Sequence, residues 1–173
     1  MKSPIFFITG PPAAGKTTLC SELLRRFDFG VHIPVDDVRT WVVSGRHEAV
    51  PWTDETERQF QIAEGVACEV VRRYHHAGFA VAVDHCRNMS RLEELIQSEL
   101  SDLPVVRICL MPRLDVNLHR SHTRTNKNFN AHILDDVIKY TNENYRQDVP
   151  AGWKVIDNSA LSVEESVRLI YDF

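Results

Sequence analysis

Apolar residues along this chain fall into two alternating kinds of run, short continuous ones and longer periodic ones. The continuous runs are PIFFIT at residues 4–9, VHIPV at 31–35, AVAVD at 80–84, PVVRICLM at 104–111 and WKVID at 153–157. Each has the length of a strand, and an uninterrupted apolar run suits a strand that a parallel sheet buries on both faces. Between them the period changes to that of a helix. TTLCSELLRRF places Leu19, Leu23 and Leu24 along one side, and from about Asp54 to His76 the residues Phe60, Ala63, Ala67, Val70, Val71 and Tyr74 mark a single buried face. Gly78 then stands where a C-capping glycine would. Further helices are predicted from about Asp37 to Val43, over RLEELIQSEL with Ser90 and Glu93 as a capping box, over about 113–124 and 131–146, and over VEESVRLIYDF behind Ser162 and Glu165. Arg107 inside the fourth strand argues for a partly open face there.

Five short apolar strands alternating with helices predict an α/β fold, a five-stranded parallel sheet with helices on both faces, because parallel strands need right-handed crossovers. The looser stretch SGRHEAVPWTD, with Gly45 and Pro51, is too short for a linker, and there are no internal repeats. A single domain over residues 1–173 is the expectation. In such a sheet a ligand lies beyond the carboxyl ends of the strands, so the polar residues after each strand should form one site.

After the first strand comes GPPAAGKTT: Gly10, Pro11, Pro12, Ala13, Ala14, Gly15, Lys16, Thr17 and Thr18. The glycines allow a turn whose backbone N–H groups point inward around an anion, and the next helix adds its positive N-terminal end. In this pattern Lys16 neutralises the β- and γ-phosphates and the Thr17 hydroxyl binds Mg²⁺. Asp36-Asp37-Val38-Arg39 follows the second strand. Asp37 could cap a helix, whereas Asp36 is placed to accept the proton of an attacking hydroxyl, and Arg39, one helical turn on, could clamp a polar or anionic acceptor. After the third strand, Asp84 resembles the acidic residue that holds Mg²⁺, usually through water, while His85 and Arg87 could reach the acceptor. After the fourth, Arg120 and Arg124 stand on one helix face, where like charges need an anionic partner; a triphosphate is one. Asp157-Asn158-Ser159-Ala160 form a turn after the fifth strand that could offer backbone groups to an adenine ring.

The remaining composition narrows the class. Of 173 residues 43% are hydrophobic and 25% charged, ordinary for a globular protein. A formal charge of −4 gives no basic footprint, so nucleic acid is not favoured as a partner. No run has the length of a signal h-region or membrane span, and a cytoplasmic protein is expected. Cys20, Cys68, Cys86 and Cys109 lack C-x-x-C spacing and read as reduced, mostly packed thiols.

Taken in order, GPPAAGKT, DDVR, VAVD, the Arg120/Arg124 pair and the closing VIDNSALSVEE resemble the P-loop kinases that include chloramphenicol phosphotransferase, gluconate kinase and zeta-toxin, together with the kinase domain of phage-type polynucleotide kinase. The resemblance spans nearly the whole chain. It implies a P-loop NTPase fold of nucleotide- and shikimate-kinase type with sheet order 2-3-1-4-5, ATP and Mg²⁺, Asp36 as catalytic base, Arg39 as an acceptor-binding arginine, Arg120 and Arg124 on a short helical lid over about 113–130, and the turn at 157–160 on the adenine side. The glycine triplet of shikimate kinases is replaced by DHCRN, and the D-G-F-P-R stretch of adenylate kinases is absent. Trp41, Arg46, His47 and Trp52 lie on the segment expected to cover the acceptor.

The first expectation is therefore ATP- and Mg²⁺-dependent phosphoryl transfer to a hydroxyl of a small molecule, by a monomer or homodimer with no membrane partner. Two alternatives stand beside it: a 5′-hydroxyl polynucleotide or nucleoside kinase, and a nucleotide-binding switch or regulated ATPase with no separate acceptor.

Overall fold

A computed structural model describes residues 3–123 and 131–171. Five strands form one sheet: β1 (Ile5–Thr9), β2 (Gly30–Pro34), β3 (Ala80–Asp84), β4 (Val105–Leu110) and β5 (Trp153–Ile156). Their order is β2-β3-β1-β4-β5 and every pairing is parallel, the topology the resemblance implies. The helices are α1 (Lys16–Leu24), α2 (Val35–Arg39), α3 (Asp54–His76), α4 (Met89–Glu99), α5 (Leu114–Thr123), α6 (Asp135–Asn144) and α7 (Val163–Tyr171), with a 3₁₀ turn at Ala131–Leu134 before α6.

The alternation of side chains along β1 separates two cores. Ile5 and Phe7 face a cluster with Ala63, Ala67 and Val71 of α3 and Leu92 and Ile96 of α4. Phe6 and Ile8 face the other side, against Leu19 and Leu23 of α1 and Val167 and Ile170 of α7. Helices therefore cover both faces, and all five residues of β1 and of β3 are buried, as their continuous apolar runs predict.

Several local expectations need correction. The first helical segment after β2 is short, Val35–Arg39 rather than about 37–43, and Pro34 precedes it. With Pro34 at the N-cap position and the helix already begun at Val35, Asp37 does not cap; it shares the first turn with Asp36. Helix α4 is capped by Asn88, whose side chain accepts from the Arg91 amide at 2.7 Å, and not by Ser90. Glu93 is thereby released to meet Arg107 at 2.7 Å and the Trp153 indole at 3.0 Å, which explains how an arginine sits inside β4. The second capping box does form: Glu165 accepts from the Ser162 amide at 2.7 Å, and Ser162 Oγ from the Glu165 amide at 3.1 Å. Tyr74 stays largely exposed, edge-on to Phe79, so the buried face of α3 narrows before its end.

Candidate active site

Strand register brings the candidate residues to one edge of the sheet. Ile8 of β1 lies opposite Asp84 of β3, and Asp84 opposite Pro34 of β2. The chain therefore leaves the sheet at one level toward Gly10, Asp84 and Asp36. This is the crevice beyond the strand ends where a doubly covered sheet takes its ligand.

The loop between β1 and α1 requires its glycines. Gly10 has φ +145°, and a Cβ there would lie 2.3 Å from the Leu110 carbonyl oxygen. Gly15, at φ +98°, immediately precedes α1, so the amides of the first helical turn remain open toward the crevice. Lys16 Nζ lies over the loop, donating to the carbonyls of Gly10 and Pro11 at 3.0 Å each. Those weak neutral acceptors are ones a phosphate oxygen would displace.

Thr17 Oγ1 donates to Asp84 Oδ2 at 2.8 Å, and His32 Nε2 meets the same oxygen at 2.8 Å. Burial would raise the Asp84 pKa, but the His32 hydrogen bond, the Lys16 charge and the Thr17 hydroxyl together hold it below the ordinary aspartate value. An ionised carboxylate beside a hydroxyl is a hard-oxygen pair that suits Mg²⁺. His32 is absent from the sequence expectations; its signal is a single ring placed inside an otherwise apolar strand two positions before the strand end.

Below the loop, polar side chains brace its backbone. Asn158 Nδ2 donates to the Ala14 carbonyl at 2.9 Å, Asn117 Nδ2 to the Pro12 carbonyl at 2.7 Å, and Arg120 to the Asn158 carbonyl at 2.9 Å. Beside them opens a cavity of about 240 Å³ lined by Gly15, Thr18, Leu19, Arg120, Asn158 and Ser166. Arg120, Thr18 and Asn158 thus meet around one space, while Pro11, Pro12, Ala13 and Ala14 belong to the loop and not to the cavity lining. Arg124 lies outside the described residues, as does much of the segment expected to be a lid.

On the opposite flank, Asp36 is exposed in the first turn of α2. Arg39 turns inward: its guanidinium carbon lies 3.8 Å from the centre of the Phe60 ring, and one Nη donates to the His47 carbonyl at 2.5 Å. Burial lowers its pKa against the attraction of Asp36, and its Nε is buried without a hydrogen-bond partner among the described residues. Trp52 stacks on the same Phe60 ring, at 4.9 Å and 11°.

His85 and Arg87 enter a buried charge network centred on Glu64, which is 0% exposed. His85 Nε2 lies 3.0 Å from Glu64 Oε1, Arg87 Nε donates to that oxygen at 3.0 Å, and Arg91 donates to Oε2 at 3.0 Å. Arg87 also forks onto Glu57 at 2.6 and 2.9 Å, and its charge lies 5.1 Å from the Trp52 ring centre. Burial works to raise the Glu64 pKa, yet His85, Arg87 and Arg91 hold it below the usual glutamate value. Arg87 is therefore fixed by two carboxylates. Glu57 and Glu64 escape the sequence reading, although Glu64 interrupts the apolar stripe of α3 four residues after Phe60.

One thiol borders this site: a donor atom from each of Cys20, His32 and Asp84 lies within 4.8 Å of the other two. Cys20, Cys68 and Cys109 are buried, and burial pushes the latter two up to about 12. Among the described residues no helix is long and apolar enough to cross a membrane.

Comparison with known families matches residues 3–168 to the chloramphenicol phosphotransferase-like protein family. No curated protein sequence matches. Among solved structures, the chain resembles shikimate kinase from Bacteroides thetaiotaomicron (TM-score 0.66, 19% identity, covering 98% of this chain and 97% of that one). It also resembles a gluconokinase from Sinorhizobium meliloti 1021 (0.65, 18%, 98% and 89%) and the tunicamycin resistance protein of Deinococcus radiodurans (0.66, 18%, 98% and 94%). At these identities the structural matches establish a common fold, that of shikimate- and thymidylate-kinase-type P-loop proteins.

Proposed function

The chain belongs to the chloramphenicol phosphotransferase-like family, and we propose that it is an ATP- and Mg²⁺-dependent kinase that phosphorylates a hydroxyl of a small molecule. The observation that carries this reading is the placement of an exposed carboxylate, Asp36, one strand beyond the hydrogen-bonded pair of buried Asp84 and exposed Thr17, at the same edge of the sheet as the phosphate loop. Lys16 and the loop amides would hold the β- and γ-phosphates, and Thr18, Arg120 and Asn158 would flank the nucleoside. Thr17 and Asp84 would hold Mg²⁺, which supplies charge neutralisation between the phosphates.

Asp36 then accepts the hydroxyl proton as the acceptor oxygen approaches phosphorus, the role a carboxylate fills in phosphoryl transfer. Arg39, with an unpartnered buried Nε, supports a polar contact to the acceptor. His85 and Arg87 act one step back, by fixing the wall of that pocket through Glu57 and Glu64. Arg124 would join Arg120 over the phosphates. An exposed carboxylate on the flank of the crevice opposite the cavity supports a separate acceptor over a bare switch or ATPase, and the net charge of −4 supports a small molecule over a polynucleotide. A cytoplasmic location accords with this reading.

The test is Asp36→Asn. It should retain ATP binding and lose about 10²- to 10⁴-fold in transfer rate on acceptors found by screening sugars, nucleosides, oligonucleotides and hydroxyl-bearing antibiotics for a phosphate gain in mass. Unchanged turnover on the true acceptor would remove Asp36 from the mechanism.

A further inference from the structure

Three metal-binding side chains converge away from the phosphate loop. His122 comes from the last turn of α5, His132 from the 3₁₀ turn, and Asp135 from the start of α6. His122 Nε2 lies 2.7 Å from Asp135 Oδ1, and His132 Nδ1 lies 3.0 Å from Oδ2. The two imidazole centres are 4.3 Å apart, and one donor atom from each of the three residues falls within 4.8 Å of the other two.

We propose that His122, His132 and Asp135 bind a divalent transition-metal ion of the zinc type, separate from the Mg²⁺ that accompanies the nucleotide. Bonds of about 2.0–2.2 Å in a tetrahedral zinc site put neighbouring ligand atoms about 3.4 Å apart. The two present hydrogen bonds, at 2.7 and 3.0 Å, therefore need to open by about 0.7 and 0.4 Å to reach the spacing of a tetrahedral site. The nitrogens already converge on different oxygens of one carboxylate, so the ion would take the place of the shared protons.

Donor set and access separate this site from the one at Asp84, where one imidazole, His32, and one buried thiol, Cys20, stand beside the Thr17 and Asp84 oxygens. Two imidazoles select zinc and its neighbours in the first transition row, whereas Mg²⁺ prefers oxygen ligands and keeps its waters. Access is open too: the side chains of His122, His132 and Asp135 are 35%, 69% and 24% exposed, which lets an ion enter and water complete the coordination.

The ligands also lie on both sides of residues 124–130. Asp135 and His132 are three residues apart on one side, and His122 belongs to the other. An ion held here ties the end of α5 to the start of α6. The same α5 carries Arg120, two residues before His122 and bonded to the Asn158 carbonyl beside the cavity. The metal would thus fix the helix that presents an arginine to the nucleotide.

The experiment is a Co²⁺ titration of the full chain in saturating Mg²⁺, reading visible ligand-field bands and stoichiometry by calorimetry. The expected result is one site per chain, weakened about tenfold or more by His122→Ala and by Asp135→Ala, and unaffected by Asp84→Asn. His122→Gln, checked for an unchanged melting curve, should reproduce the loss and so separate ligation from folding. Bands that persist in the His122 variants, that vanish in Asp84→Asn, or that vanish only when His75 and His76 are both replaced would overturn the assignment. Absence of a saturable band would reduce the cluster to a hydrogen-bonded surface triad.

Discussion

The two sides of the crevice are built by different forces. Around the phosphate loop, geometry is fixed by main chain: glycines at positive φ, and neutral amides of Asn117 and Asn158 that donate to loop carbonyls. Between α2, α3 and α4, geometry is fixed by charge, with Glu64 holding Arg87, Arg91 and His85, Glu57 holding Arg87, and Arg87 and His85 lying against the Phe60 ring. Under the proposed function a nucleoside triphosphate presents the same oxygens whatever the acceptor, so a backbone cradle suffices. An acceptor differs from one relative to the next, and side chains are what can be changed while the sheet stays the same.

If charge holds that second side, its weakest point is the carboxylate at the centre. Glu64→Gln would leave Arg87 with Glu57 alone, the partly exposed Arg91 with Glu94 alone and the buried His85 without a carboxylate, and removing one partner of a buried ion pair costs about 3–5 kcal/mol. Chemical denaturation should register a loss of that size. The wild type should also show an acid-linked component. The folded Glu64 pKa lies below its ordinary value of 4.5, so its contribution is complete above that pH and is lost as pH falls through the lower folded value. That component should be missing from the Glu64→Gln titration. A loss under about 1 kcal/mol would mean that water or Glu57 replaces the charge, and the contrast between the two sides would collapse.

The backbone side breaks differently. In Gly10→Ala the new methyl meets the Leu110 carbonyl, and the residue is held at φ +145°. Strain of this kind costs about 1–3 kcal/mol, and the loop can relieve it only by moving its amides. The expected outcome is a modest fall in melting temperature with a large rise in the Kd for ATP, measured by calorimetry. Acceptor affinity, where an acceptor is in hand, should hardly change. Equal damage to both ligands would show that the two sides are one mechanical unit.

This contrast also explains what the sequence made readable. A backbone cradle needs particular residue types at fixed spacing, so Gly10, Gly15, Lys16 and Thr17 announce themselves, and Asp84 follows from the end of a buried strand. The sheet order came from the resemblance and was then found in the structure. A charge network has no such spacing. Glu57, Glu64, Arg87 and Arg91 come from α3, the turn after β3, and α4, so their meeting depends on how those elements pack. The one local clue was Glu64, a carboxylate on an apolar helix face, where an unpaired charge is too costly to stand alone. His32 was hidden for the same reason, since its partner Asp84 is on the neighbouring strand. The cap of α4 was misread because Asn88 and Ser90 are both good capping residues, and only the chain path from β3 decides between them.

The smallest expected effect probes the aromatic layer above the network. Trp52 is 47% exposed, and its indole stacks on Phe60 while the Arg87 charge lies beneath. A half-exposed ring in one stacked pair contributes about 0.5 kcal/mol beyond its burial, so Trp52→Ala should barely alter the denaturation midpoint. If the ring instead forms part of the acceptor's surface, the same substitution should raise the acceptor KM severalfold with the ATP KM unchanged. Trp52→Phe should then restore most of the difference, because a smaller ring still offers a face to stack on. Equal shifts in both KM values would place Trp52 in the general architecture. A shift confined to the acceptor would sharpen the division between a side shaped by backbone for ATP and a side shaped by side chains for its partner substrate.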